Sequence, residues 1–122
     1  MPARLGTPLI LHVEDNQAQS GALRRILERN GFAVLHASTA AQALHICRET
    51  PVSLVLADHM LSSGRGTELA SQIKSLKPTV PIVLHSGTLP ATMRHVDAFI
   101  HKGDSVPYLV AFIRDLINRS WE

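Results

Sequence analysis

Scarcity is the first thing this sequence offers. There is one cysteine, Cys47, so no disulfide can close within the chain. It falls inside a predicted helix, where it packs as a small apolar group, and single-cysteine usage fits a reducing compartment. Basic residues are dispersed, with Arg24, Arg25 and Arg29 the densest group, and no aromatics are interleaved among them. Direct nucleic-acid binding is therefore not expected. No apolar run approaches the roughly 20 residues of a membrane span. The N-terminus lacks the charged, then apolar, then small-residue pattern of an export signal. Residues 1–7 read as a short leader, and the expected location is cytoplasmic. Neither G-x-G-x-x-G after the first strand nor G-x-x-x-x-G-K-[ST] anywhere is present, which argues against a dinucleotide or P-loop carrier.

What remains is ordinary globular material. The chain has 122 residues, 45% hydrophobic and 18% charged, with a formal net charge of +2. That size allows one core, so residues 1–122 are read as a single domain. The organising stretch is 52–66, V-S-L-V-L-A-D-H-M-L-S-S-G-R-G, in which a short apolar run ends on Asp58 and a small-residue loop follows. The run is too short for a helix and reads as a strand buried on both faces. A carboxylate at such a place needs a partner, because desolvation would otherwise neutralise it.

Strands are predicted at 9–13, 32–36, 52–58, 80–85 and 98–101. Helices are predicted from Asp15 or Asn16 to about 30, from Ser38-Thr39 to about 48, and over 67–76. A further helix of at most two turns is predicted over 89–96, and a last one opens at Asp104 or Ser105. The expected stops and caps are Gly31, Thr50-Pro51 and Lys77-Pro78, with Pro107 in a first turn. Five strands alternating with five helices imply an α/β fold, a flavodoxin-like doubly wound parallel sheet of order 2-1-3-4-5 with a shortened fourth helix.

In that order the polar residues at the strands' carboxyl ends converge: Glu14 and Asp15, Asp58, Ser86, and Lys102. Three carboxylates in one pocket call for a hard divalent cation such as Mg²⁺. A carboxylate can attack phosphorus to give an aspartyl phosphate, with metal, ammonium and hydroxyl stabilising the phosphoryl oxygens. Spacing alone thus nominates Asp58 as acceptor, Glu14 and Asp15 for the metal, and Lys102 and Ser86 for the phosphoryl group.

With L-H-V-E-D-N, D-H-M-L-S-S-G-R-G-T-E-L, V-L-H-S-G and A-F-I-H-K in order, the chain resembles the response-regulator receiver domains of two-component signalling. The resemblance covers nearly the whole length. It implies that Asp58 takes phosphate from a histidine kinase or histidine phosphotransfer protein. It also implies that Mg²⁺ is held by Glu14, Asp15, Asp58 and the backbone carbonyl of Met60. Ser86 and Lys102 would bind phosphoryl oxygens, and Phe99 occupies the switch-aromatic position. Met60 and Thr88 flank the site and are expected to set the lifetime of the phosphorylated state by excluding water. The chain ends just past its last helix, which suggests a single-domain type acting on a separate effector protein. Homodimerisation would use the fourth helix, fifth strand and last helix.

Departures from the family pattern are Leu61 for proline, Ser86 for threonine, and Gly103 for the proline after the lysine. Without proline a cis bond there costs about 3 kcal/mol, so the expectation is trans, or a strain compensated elsewhere. Lys102 follows Ser86 by only 16 residues, hence the stunted fourth helix. Two rivals remain. A pseudo-receiver would bind partners without phosphorylation. An aspartyl-nucleophile phosphohydrolase would want a carboxylate two residues after Asp58, where Met60 stands. His12, His85 and His101 lack the short spacings of a zinc site.

Overall fold

A computed structural model describes residues 6–119; most of the 1–7 leader and the residues after Arg119 lie outside the described part. Five parallel strands form the main sheet: β1 (Leu9–Val13), β2 (Ala33–Ala37), β3 (Leu54–Ala57), β6 (Ile82–Ser86) and β7 (Ala98–His101). Their order, β2-β1-β3-β6-β7, is the expected 2-1-3-4-5 when these five are counted alone. A two-residue antiparallel ribbon, β4 (Met60–Leu61) with β5 (Gly64–Arg65), follows β3 where a plain loop was expected.

Parallel register sorts the strands' side chains onto two faces. His12 lies level with Leu56, Leu56 with Val83, and His85 with Ile100. Since side chains alternate along a strand, Ile10, Leu54, Leu56, Val83, Ala98 and Ile100 share one face. They pack against α1 (Gln17–Arg29) and α4 (Val106–Arg119) through Leu23, Leu27, Leu109, Ile113 and Ile117. The opposite face, with Leu11, Val13, Val55, Ala57, Ile82 and Leu84, packs on α2 (Ala40–Glu49) and α3 (Gly66–Leu76). Strands covered on both sides have no polar face, which is why 54–57 is apolar throughout.

The helix ends follow the sequence signals. Asn16 caps α1 by accepting the Gln19 N–H at 3.0 Å, and Gly31, at φ +92, ends it. Thr39 caps α2 through Gln42 N–H. At α4, Ser105 Oγ accepts Tyr108 N–H, while Asp104 turns back to His101 N–H; of the two candidate caps, Ser105 is the one used.

One expected element is absent: 89–96 forms bends and turns, so the described chain has four helices, not five. Pro90 lies within the segment and His95 takes a left-handed φ of 67. Two turns of helix are in any case too few to stand without packing. Asp97 takes over the anchoring. Its Oδ2 accepts Ile82 N–H at 2.7 Å and pairs with Lys74 Nζ at 2.8 Å, pinning the segment's end to the start of β6. No peptide bond among the described residues is cis, so Lys102–Gly103 is trans as expected. The Gly103 N–H, which a proline would lack, donates to His101 Nδ1 at 2.8 Å.

Candidate functional site

The carboxyl edge of the sheet brings together groups from β1, β3 and β7. Asp58 directly follows β3 and its N–H still bonds Val13. Glu14 directly follows β1, and Lys102 follows β7 with its N–H on the Ser86 carbonyl. Alternation places Glu14 two beyond His12, Asp58 two beyond Leu56, and Lys102 two beyond Ile100, so all three emerge on the α1/α4 side. Their contact is direct. Lys102 Nζ lies 2.8 Å from Glu14 Oε1 and 3.2 Å from Asp58 Oδ2. Gln19 from the first turn of α1 supplies a third acceptor, its Oε1 2.6 Å from the same ammonium.

Burial makes this network consequential. The Glu14 side chain is only 3% exposed and Asp58 only 12%. Ion pairs so placed are screened far less than surface pairs. Burial by itself would lower the Lys102 pKa, but the hydrogen bond and charge of Glu14, followed by those of Asp58, outweigh it and hold the ammonium above its ordinary value. The second Glu14 oxygen accepts Asn16 N–H at 3.2 Å. His36 Nε2 lies 2.6 Å from the Glu14 carbonyl oxygen.

Asp15 points elsewhere. Its Oδ2 accepts the Ser62 N–H at 2.7 Å, and this bond, with a further one from the Ser62 side chain, keeps its carboxyl below the usual range. Asp58 Oδ1 accepts the Met60 N–H at 3.3 Å, which sets the Met60 peptide beside that carboxylate. The Met60 side chain is exposed, and Arg65 Nη1 lies against its sulfur. Ser86 is buried at the end of β6, where its Oγ accepts Thr88 N–H at 3.2 Å. Thr88 itself is exposed. Phe99 lies level with Leu84 and packs, partly buried, against the α2/α3 face.

The donor chemistry suits a hard cation. Glu14, Asp15 and Asp58 offer carboxylate oxygens and carry two more negative charges than Lys102 compensates, the setting in which Mg²⁺ is held by oxygen ligands. The three are nonetheless not gathered. Among the described residues no three His, Cys, Asp or Glu side chains converge closely enough to hold an ion, and Asp15 is bonded to Ser62.

Residues 10–104 match the family model of the response regulator receiver domain. The chain belongs to that family. It is 31% identical over 118 residues to the response regulator MprA of Mycobacterium leprae, covering 91% of this chain and 51% of that protein. It is 29% identical over 109 residues to the response regulator receiver protein CpdR of Brucella abortus, covering 89% and 90%. Against the autoinducer 1 sensor kinase/phosphatase LuxN of Vibrio campbellii the match, 30% over 81 residues, spans 66% of this chain but only 10% of the kinase. The chain thus spans about half of one such relative and a tenth of another.

Among solved structures, a CheY-like receiver domain protein of Methanospirillum hungatei superposes with a TM-score of 0.89 at 26% identity, covering 94% of this chain and 97% of that one. TrrA of Thermotoga maritima, solved in complex with Mg(2+)-BeF, shares the fold with a TM-score of 0.84 at 21% identity, over 89% and 98% of the two chains. No helix of this receiver domain, among the described residues, is long and apolar enough to cross a membrane.

Three features of the receiver's edge escape sequence reading. Gln19 is the first, although Asn16-x-x-Gln19 is a capping-box pattern that singles out that position. The Arg65–Met60 contact is the second, since it depends on the unforeseen ribbon. The third is a cavity of about 390 Å³ beneath Lys102, bounded by Gln19 and Leu23 of α1 and by His12 and His85 of the sheet.

His12 is 3% exposed and its Nδ1 has no hydrogen-bond partner. Burial first, then the charge of His36, His85 and Lys102, pushes its pKa from 6.5 down to about 3. Between those two values the unfolded chain binds a proton that the native state refuses. Stability is therefore complete above pH 6.5 and falls on acidification, by about 1.4 kcal/mol per pH unit. A His12→Leu variant is expected to lose that share of the slope. Urea midpoints at pH 7 and pH 5 will then differ less in the variant than in the wild type; equal differences would show that His12 does not titrate in this window.

Proposed function

We propose that this receiver domain is a phosphoacceptor: Asp58 takes a phosphoryl group from the phosphohistidine of a kinase or phosphotransfer protein. The supporting observation is that one ammonium, Lys102, bridges the acceptor carboxylate and the buried Glu14. An oxygen of Asp58 attacks phosphorus in line, and the P–N bond of the donor breaks with its electron pair passing to the imidazole nitrogen. The charge of the transferring group is spread over its equatorial oxygens, so positioned cations and donors do most of the catalysis.

Lys102 supplies one such donor. Ser86 supplies another: its oxygen accepts Thr88 N–H, which leaves its own hydrogen to donate. Mg²⁺ would be held by Asp15, Glu14, Asp58 and the Met60 carbonyl, and when bound it neutralises charge on the phosphoryl oxygens. Release of Asp15 from Ser62 belongs to that reading. Met60 and Thr88 would limit access of water to the acyl phosphate and so its lifetime.

Movement of Ser86 toward the phosphoryl group, with Phe99 turning inward, would shift a two-state equilibrium through contacts made in one state only. The reading takes 1–122 as one receiver unit that switches the binding of an effector. The surface of segment 87–97, β7 and α4, where Leu89, Met93, Val106 and Tyr108 are exposed, would carry effector binding or homodimerisation. Two residues after Asp58 stands Met60, with no carboxyl to act as acid and base on a separate phosphoester, which favours the acceptor over the phosphohydrolase.

The test is incubation with Mg²⁺ and acetyl phosphate, followed by peptide mass mapping. One acid-stable, base-labile phosphoryl group on the Asp58 peptide is expected. Sustained turnover of a phosphoester would favour the hydrolase, and no adduct would favour a pseudo-receiver.

A further inference from the structure

We infer that Gln19 is the positioning residue for the Lys102 ammonium, an assignment that rests on the phosphoacceptor reading of Asp58. An ammonium has three hydrogens and no acceptor capacity. Lys102 has three acceptors within hydrogen-bonding distance: Gln19 Oε1 at 2.6 Å, Glu14 Oε1 at 2.8 Å and Asp58 Oδ2 at 3.2 Å. The two shorter contacts do not involve the acceptor aspartate. They fix the rotation of a point charge carried on a flexible four-carbon stem, and the remaining hydrogen faces Asp58. When Asp58 becomes an acyl phosphate its carboxylate charge disappears, and that same hydrogen is the one free to follow the charge onto a phosphoryl oxygen. Glu14 and Gln19 meanwhile keep the nitrogen in place.

Local structure releases Gln19 for this role. It stands three residues after the cap Asn16, where a glutamine ordinarily folds back onto the cap's own N–H. Here the Asn16 N–H is taken by Glu14 Oε2 at 3.2 Å, and the Gln19 backbone N–H is held by Asn16 Oδ1 at 3.0 Å. The Gln19 side chain is thereby free to span to a residue 83 positions away. Glu14 thus serves two ends at once, one oxygen on the helix cap and the other on the ammonium. Gln19 and Lys102 also both line the 390 Å³ cavity between α1 and the sheet.

Methionine matches glutamine in length and helix propensity but offers no comparable acceptor, and glutamate restores one. With Mg²⁺ and acetyl phosphate in excess, Gln19→Met is expected to slow phosphorylation of Asp58 about tenfold. Gln19→Glu is expected to stay within about twofold of wild type, as the retained acceptor requires. Thermal midpoints of both should match the wild type, because the Gln19 side chain lies at the surface. The ¹⁵N signal of the Lys102 ammonium, slowed in exchange when all three hydrogens are engaged, should broaden in Gln19→Met and return in Gln19→Glu. Wild-type rate and an unaltered ammonium signal in Gln19→Met would overturn the assignment. A wild-type protein that forms no adduct at all would instead remove the phosphoacceptor reading and this inference with it.

Discussion

Lys102→Met is expected to damage both stability and phosphorylation. The substitution removes the cation from the Glu14 carboxylate, 3% exposed, and leaves it the Asn16 N–H at 3.2 Å. Breaking a buried ion pair from one side typically costs about 3–5 kcal/mol, because the other charge stays in place uncompensated. The lower end applies here, since the Lys102 side chain is itself a quarter exposed and water can partly replace it. Phosphorylation of Asp58 by acetyl phosphate should fall by at least about 100-fold, the usual consequence of removing a positioned donor from developing oxyanion charge. The two losses have different causes and can be separated. In a Lys102→Met/Glu14→Gln double variant the lone charge is gone, so urea denaturation should recover most of the stability while phosphorylation stays slow. If the double variant is no more stable than Lys102→Met, the cost does not arise from an unpaired Glu14.

Gly66→Ala is expected to cost more than a methyl group added at any other described glycine. A Cβ at Gly66 would stand 2.7 Å from the Asp58 carbonyl oxygen, 2.9 Å from His59 Cα and 2.8 Å from Leu84 Cδ2. The first two are backbone atoms that cannot swing aside. Gly66 N–H also donates to the His59 carbonyl at 2.7 Å, so separating the segments sacrifices a hydrogen bond as well. Overpacking of this kind costs about 3 kcal/mol. Its relief moves the peptide that carries Asp58, so phosphorylation should slow even at temperatures where the variant is fully folded. Gly21 provides the contrast. It lies inside α1, and beyond the backbone of its own helix and its chain neighbours no heavy atom comes within 4 Å of its would-be Cβ. Gly21→Ala is expected to raise stability by about 0.5–1 kcal/mol through helix propensity and unfolded-state entropy. Denaturation curves of the two variants should therefore move in opposite directions; destabilisation of both would point to a general intolerance of substitution rather than to contact at Gly66.

Close packing behind Asp58 also explains the ribbon that interrupts the run from β3 to α3. Gly66 brings the start of α3 against the Asp58–His59 backbone, so residues 59–65 must turn back within a short span. The β4–β5 pair, with Met60 level with Arg65, is how they do so. That turn is what puts the Met60 peptide beside Asp58 and the Ser62 N–H within reach of Asp15.

The strands and their order were legible in the sequence, because a buried parallel strand writes its own signature as a short apolar run and each crossover needs a helix. The same strand order placed Glu14, Asp58 and Lys102 together at the carboxyl edge of the sheet. Segment 89–96 differs from the sequence expectation: its apolar residues and Pro90 permit a helix, but the short span from β6 to β7 and the Asp97 anchor favour turns. The sequence could nominate Glu14 and Asp15 together for one task, whereas the tertiary structure separates them, Glu14 onto Lys102 and Asp15 onto Ser62. It also recruits Gln19, which no spacing rule ties to a lysine 83 residues away. Propensity and periodicity are properties of neighbours along the chain. The choice among competing acceptors for one ammonium depends on positions set to within an ångström by the whole packed sheet.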